Sequence, residues 1–179
     1  MFTNIEPIKE WKERRNDYPL KSVIVVPRRL FKETYDLLSD CEDIAFISIE
    51  CIEEALWGKK TYRPNTHLVP DSELVLNIDF DDVEKSGYDD YGNHWKAIDE
   101  NDGKLIAEFI ERNLGKHFVV HCTAGRSRSQ GVRRVILDMF PEIYGENEYT
   151  LINPCLTPNH AVMAAVRRPI WEREFQKSM

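Results

Sequence analysis

Residues 118–140, FVVHCTAGRSRSQGVRRVILDMF, carry the pattern of a strand, a tight loop and a helix in immediate succession. The apolar run His117–Cys122 has the length and the β-branched content of a buried strand. A helical pattern follows over Arg128–Phe140 and stops before Pro141. A loop that enters a helix in this way presents unsatisfied backbone N–H groups at the positive end of the helix dipole. The segment therefore predicts a binding site for an anion.

Strands and helices alternate on the N-terminal side of this segment as well. Short runs of strand length, rich in β-branched and aromatic residues, occur at Ser22–Val26, Ile44–Ile49 and Leu74–Phe80. Strands that are apolar on both faces are typical of a parallel sheet covered on both sides. The chain is therefore predicted to be α/β, with a mostly parallel central sheet of four to five strands flanked by helices. Ligands of such folds bind at the carboxyl ends of the strands.

Three more helices are predicted, at Leu30–Leu38, at Gly103–Leu114 and at Pro158–Arg167. The second is expected to begin at a cap, Asp99 or Asn101, and to end before Gly115. Its apolar stripe is formed by Leu105, Ile106, Phe109, Ile110 and Leu114. The third is expected to use Thr157 as its N-cap and Pro158 as its first residue.

Composition limits the class of protein. The 179 residues suit a single domain, which we expect over 22–179, preceded by a charged, irregular N-terminal arm over 1–21. The net charge of −7 disfavours a nucleic-acid or anionic-membrane partner. We see neither an apolar signal sequence at the start nor an apolar run near 18 residues. The four cysteines, Cys41, Cys51, Cys122 and Cys155, form no CxxC pair and predict free thiols in a reducing, cytoplasmic compartment.

Cys122 differs from the other cysteines because it lies at the mouth of the predicted anion site. The backbone amides, the helix dipole and Arg128 would all stabilise a thiolate there, and a thiolate can attack phosphorus. Arg128 can donate two parallel hydrogen bonds to phosphate oxygens, and Gly125 allows an unusual backbone conformation. The Ser129 hydroxyl could donate a hydrogen bond to the sulfur when the sulfur leaves phosphorus in the second step. The other three cysteines are interpreted as small apolar residues.

The order His-Cys-(five residues)-Arg-Ser resembles the signature of the protein tyrosine and dual-specificity phosphatases, and the short chain is most similar to the compact type. The resemblance spans about residues 22–166, but the specific motif covers the loop alone. It implies that His121 orders the loop, that Cys122 is the nucleophile and that Ser129 aids thiolate release. It also implies a phosphate held by the loop residues Thr123, Ala124, Gly125, Arg126, Ser127 and Arg128.

The resemblance further implies an aspartate as general acid, on a loop after an earlier strand. The strand LVLNIDF ends at Asp81-Asp82, and the family pattern favours Asp82. Asp81 is the alternative and Asp79 the third choice, while Asp89, Asp90 or Asp99 would serve if the loop folds back.

The expected activity is hydrolysis of phosphotyrosine, with or without phosphoserine and phosphothreonine, without a metal or other cofactor. A first alternative keeps the loop but takes inositol phosphates or another non-protein phosphate ester, because Arg126 lies inside the loop and the resemblance implies a more basic loop in members that act on such substrates. A phosphopeptide-binding module without activity and a sulfur transferase are two further alternatives. The partner is expected to be a phosphorylated protein or a small phosphate ester; the oligomeric state is left open.

Overall fold

A computed structural model of the protein describes residues 2–54, 63–64, 67–88, 94–151 and 157–179. Its strands, in chain order, are β1 (Val23–Pro27), β2 (Ile44–Glu50), β3 (Glu53–Glu54), β4 (Arg63–Pro64), β5 (Val75–Asp79), β6 (Gly87–Tyr88), β7 (His94–Trp95) and β8 (His117–Cys122). Its helices are α1 (Glu6–Arg14), α2 (Arg28–Leu38), α3 (Glu100–Arg112), α4 (Arg128–Met139), α5 (Glu148–Leu151) and α6 (His160–Lys177), with a short 3₁₀ turn at Arg15–Asp17.

The central sheet has four strands in the order β1, β8, β2, β5, and all of its pairings are parallel. These are the four strands predicted from the sequence, so the α/β class with a parallel central sheet is confirmed. Strands β3 and β4, and β6 and β7, form two-residue antiparallel pairs outside this sheet. Because β8 lies between β1 and β2, the loop that follows it emerges between the carboxyl ends of both neighbours.

Helices cover both faces of the sheet. The residues of β1 alternate, with Val23 and Val25 packing towards α3, α4 and α6, and Ile24 and Val26 packing towards α1 and α2. All residues of β1, β2 and β8 are buried, as expected for strands covered on both sides. Among the described residues, no helix combines the length and the apolar character that crossing a membrane would require.

The expectation of an irregular arm over 1–21 is wrong for most of that segment. Helix α1 occupies Glu6–Arg14, and its Ile8 and Trp11 side chains are fully buried. The Trp11 Nε1 donates a hydrogen bond to Ser22 Oγ at 2.8 Å, which joins the helix to the start of β1. The high charge of the segment suggested a solvated arm. Its apolar residues instead complete the core on the face of the sheet that α1 and α2 cover.

Helix α3 begins as predicted, although its apolar stripe is narrower. Asp99 is the N-cap, and its carboxylate and that of Asp102 each accept the other residue's backbone N–H in a capping box. Leu105 is 50 % exposed and Leu114 37 % exposed, so these two expected core residues lie at the margin. The buried stripe instead includes Gly103, which packs on α6.

Helix α6 differs from the prediction at both ends. Its N-cap is Asn159 rather than Thr157, and it begins at His160 and continues through Pro169 to Lys177. Proline at position 169 has no N–H to donate to the carbonyl of Ala165. Gly103 of α3 approaches this carbonyl so closely that a Cβ there would lie 2.3 Å from Ala165 O. The Ala165 carbonyl that Pro169 leaves without its helical hydrogen bond is thus the one against which the backbone of α3 packs.

Candidate active site

The β8–α4 loop (residues 123–127) lies at the carboxyl end of the central sheet and contacts the end of β1 and the first residue of α2. The Arg28 backbone N–H donates to Thr123 O at 3.2 Å. Gly125 has φ of +67°, in the left-handed region, and a Cβ there would lie 3.2 Å from Val26 O. Glycine therefore satisfies two demands at this position, a positive φ and a close approach to the neighbouring strand.

The Cys122 thiol lies at the start of this loop and contacts the first turn of α4. Its side chain is nearly buried, with 3 % of the residue exposed. The Cys122 Sγ lies 3.1 Å from Ser129 Oγ, within hydrogen-bonding distance for a sulfur atom. The hydroxyl can therefore donate to a thiolate, and the structure brings together the two residues that the sequence suggested as nucleophile and leaving-group stabiliser.

The Arg128 guanidinium is buried beneath the loop and joins it to the ends of two strands. Its Nη1 donates to Phe80 O at 2.6 Å and to Glu50 O at 3.3 Å. Its Nη2 donates to Thr123 Oγ1 at 2.8 Å and contacts Cys51 Sγ at 3.3 Å. The Arg128 Nε is buried and has no hydrogen-bond partner among the described residues. An unsatisfied buried donor is costly, so this N–H is the part of the guanidinium that is left to bind a further acceptor.

His121 precedes the nucleophile and faces the opposite layer of the core. Its Nε2 lies 2.7 Å from Ser48 Oγ, and its ring stacks on Phe31 with the ring centroids 3.8 Å apart. Burial lowers the pKa of His121 to about 3, so the imidazole is neutral at physiological pH. A neutral, fully packed ring fixes the end of β8 and does not act as a base on a substrate.

Glu50 is a site residue that the sequence analysis missed. Its side chain is buried at the end of β2, and Arg28 Nε donates to both of its carboxylate oxygens, at 3.0 and 2.9 Å. The Glu50 backbone carbonyl also accepts from Arg128. A glutamate at the end of the mostly apolar strand IAFISIE is the signal that could have identified it, because a buried charged residue is normally paired.

The two adjacent aspartates after β5 have different surroundings. Asp82 Oδ1 accepts hydrogen bonds from Ser127 Oγ and from Asn159 Nδ2, both at 2.7 Å. Asp81 Oδ2 accepts from the backbone N–H of Lys96 at 2.9 Å, and the Asp81 backbone N–H donates to Lys96 O. The structure thus brings Asp82 to the β8–α4 loop, whereas Asp81 anchors the segment that leads to α3.

The other aspartates considered from the sequence do not contact the loop, as far as the described chain extends. Asp79 Oδ2 lies 3.2 Å from His67 Nε2, and Asp99 caps α3. Asp89 and Asp90 lie outside the described residues.

Of the remaining residues, Arg126 lies within the loop and Cys51 contacts it. Arg126 is exposed, and its carbonyl is 3.5 Å from Thr157 Oγ1. Cys51, expected to be a small apolar residue, instead lies half-buried beside polar groups, 3.5 Å from Thr123 Oγ1. Cys41 is half-buried against the core, and Cys155 lies outside the described residues.

The site thus combines a thiol, a buried guanidinium, a hydroxyl and a carboxylate around one strand-to-helix loop. Such a set can bind an oxyanion, attack it with sulfur and supply a proton. Comparisons of the chain with protein-family models, with curated proteins and with solved structures gave no match.

Proposed function

We propose that the protein is a cysteine-dependent phosphatase that hydrolyses phosphotyrosine in proteins, with or without activity on phosphoserine and phosphothreonine. The observation that carries the proposal is the convergence of four groups on one loop. Cys122 Sγ lies 3.1 Å from Ser129 Oγ, the Arg128 guanidinium is buried under the same loop, and Asp82 accepts from Ser127 within it. Hydrolysis through a cysteinyl phosphate needs a nucleophile, a group that binds the phosphate, a hydroxyl that stabilises the departing thiolate and a general acid. These four residues can supply those roles.

In the first step the Cys122 thiolate attacks phosphorus and the bond between phosphorus and the substrate oxygen breaks. Asp82 gives its proton to that oxygen, so the substrate leaves as a neutral alcohol or phenol. The loop amides and Arg128 stabilise the charge on the three equatorial oxygens. The product of this step is a cysteinyl phosphate.

In the second step a water molecule attacks phosphorus and the phosphorus–sulfur bond breaks. The Asp82 carboxylate takes the proton of the water, which restores the acid for the next cycle. The Ser129 hydroxyl donates a hydrogen bond to the departing sulfur, consistent with its 3.1 Å distance from Cys122 Sγ. Inorganic phosphate then leaves the loop, and the thiolate is regenerated.

The proposal requires free thiols and therefore a reducing compartment, the cytoplasm. Within the described part of the chain, Cys41, Cys51 and Cys122 are unpaired. The proposed partner is a phosphorylated protein or a small phosphate ester; the net charge of −7 argues against a nucleic acid but does not oppose local binding of a single phosphate group.

The test is phosphate release from phosphotyrosine, phosphoserine and phosphothreonine peptides and from inositol phosphates. Cys122→Ser should abolish turnover but still bind a phosphotyrosine peptide, because the loop amides and Arg128 remain. Cys41→Ser is the matched control, since Cys41 is a half-buried cysteine just before β2, at the opposite end of the parallel sheet from the loop, and its turnover should stay close to that of the parent. Substantial turnover by Cys122→Ser would refute the assignment of the nucleophile.

A second candidate substrate class, inositol phosphates or other non-protein phosphate esters, is favoured by Arg126. This residue is exposed within the loop and has no acidic partner among the described residues, so its charge is available to a second phosphate group. Arg126→Ile should weaken turnover of polyphosphorylated substrates far more than turnover of phosphotyrosine peptides if this class is correct. Equal effects on the two classes would remove the support for it.

A further inference from the structure

Asn159, the N-cap of α6, connects three parts of the candidate site. Its backbone N–H donates to Ser127 O at 3.1 Å, at the end of the β8–α4 loop. Its Oδ1 accepts from the backbone N–H of Val162 at 3.0 Å and so caps the helix. Its Nδ2 donates to Asp82 Oδ1 at 2.7 Å. One amide therefore contacts the helix end and the carboxylate together.

We infer that Asn159 is a positioning residue, which determines which oxygen of Asp82 carries the transferred proton. The inference rests on the proposed function, in which Asp82 is the general acid. Oδ1 of Asp82 accepts from both Ser127 Oγ and Asn159 Nδ2, so its lone pairs are directed at donors. When the carboxyl is protonated, the proton must then reside on Oδ2, and the acid presents this oxygen to the leaving group.

The amide of Asn159 is suited to this role in a way that other capping residues are not. Serine, aspartate and asparagine cap helices about equally well, because capping needs only an acceptor. A serine hydroxyl can also donate, but from the same oxygen that caps; asparagine alone among these three has its donor on a second atom, so its N–H₂ can reach Asp82 while its oxygen caps. The Val162 N–H requires an acceptor and the Asp82 carboxylate requires a donor, so a single orientation of the amide satisfies both partners.

The contacts also explain how the acid stays at the loop although Asp82 itself is exposed. An exposed carboxylate has free rotamers, and catalysis loses roughly a hundredfold when a group is displaced by about 1 Å. Ser127 and Asn159 restrain the same oxygen from two different elements of the fold, the loop and α6. Removing one restraint should slow protonation of the leaving group without removing the acid.

The test compares Asn159→Ser with the parent on two monoesters, an alkyl phosphate, whose leaving group needs a proton, and p-nitrophenyl phosphate, whose leaving group needs little. Serine can still cap α6 but has no amide donor, so the fold should persist, and thermal unfolding checks this. We expect kcat on the alkyl phosphate to fall roughly 10- to 100-fold. On p-nitrophenyl phosphate the fall should be less than about threefold. Asp81→Asn is the control on the neighbouring carboxylate and should show no such difference between the substrates.

A double variant completes the design. Asp82→Asn should show the leaving-group dependence with a larger loss, on the order of 10²–10⁴-fold for the alkyl phosphate. Asn159→Ser added to it should cause no further loss, because the acid through which Asn159 acts is then absent. Equal losses on both substrates, or independent losses in the double variant, would overturn the inference alone. If Asp82→Asn lacks the leaving-group dependence, the proposed acid and this inference both fall.

Discussion

Replacement of Arg128 by lysine retains the positive charge and removes the planar fork. In the structure the two Nη atoms serve different acceptors, with Nη1 donating to Phe80 O and Nη2 to Thr123 Oγ1, at 2.6 and 2.8 Å. A lysine ammonium has its three donors on one nitrogen and cannot reach both positions together. Arg128→Lys therefore separates the requirement for charge from the requirement for geometry.

The size of the effect follows from these contacts. Losing one charged hydrogen bond to a buried acceptor should lower the free energy of unfolding by about 1.5–3 kcal/mol. Losing one preorganised donor to the equatorial oxygens should lower kcat by about 10²–10³-fold. Both losses are expected, because the same guanidinium supports the loop and is proposed to bind the phosphate.

The assay is urea denaturation together with steady-state phosphate release from a phosphotyrosine peptide. Arg133→Lys is the matched control, because Arg133 is also in α4, is 1 % exposed and donates through Nη2 to Glu146 and to Thr150 O. It should lose comparable stability and keep kcat within about threefold. A kcat for Arg128→Lys within tenfold of the parent, or an equal loss in Arg133→Lys, would refute the role of Arg128.

Three further predictions use other parts of the structure. Ser129→Ala removes the hydroxyl beside Cys122 Sγ and should slow sulfur release, so a burst of p-nitrophenol should precede slower turnover; a linear time course would contradict this. Gly103→Ala should lower the free energy of unfolding by about 1–3 kcal/mol, because the added methyl group would overpack against α6. Helix propensity alone predicts the opposite, a gain of about 1 kcal/mol, so an increased stability in urea denaturation would contradict the prediction. Burial lowers the pKa of His117 to about 4 and that of His121 to about 3, so the unfolded chain binds more protons than the folded chain below about pH 6.5. The free energy of unfolding should therefore decrease as the pH falls from 6.5 towards 4, by at most about 1.4 kcal/mol per pH unit for each histidine. His117→Asn should make this decrease shallower, and an unchanged slope would show that His117 does not titrate in this range.

The loop and its helix could be predicted from the sequence because their signals are local. A β-branched strand, a glycine with positive φ and a terminating proline all lie within 118–141, and the predicted anion site depends on backbone geometry over those residues. Cys122, Arg128 and Ser129 lie within eight consecutive positions, so the strand-to-helix turn alone brings them together.

The N-terminal segment shows where a local reading fails. Its apolar residues Phe2, Ile5, Ile8 and Trp11 recur at helical spacing, yet the charges between them suggested a solvated arm. The helix is stabilised by burial against β1 and α2 rather than by its intrinsic propensity, and composition does not reveal whether such a partner surface exists.

Which of the two aspartates after β5 contacts the β8–α4 loop depends on tertiary structure. Asp81 and Asp82 are neighbours of the same chemical type, and a family pattern can rank them but no local property separates them. The backbone of Lys96 binds Asp81, whereas Ser127 and Asn159, 45 and 77 positions further along the chain, bind Asp82. The sequence alone predicted which residues are proposed to bind and attack a phosphate, because they all lie at the end of one strand, in the short loop after it and in the first turn of the helix that follows. Which carboxylate faces the loop depends on where distant segments pack, and only the folded chain brings those segments together.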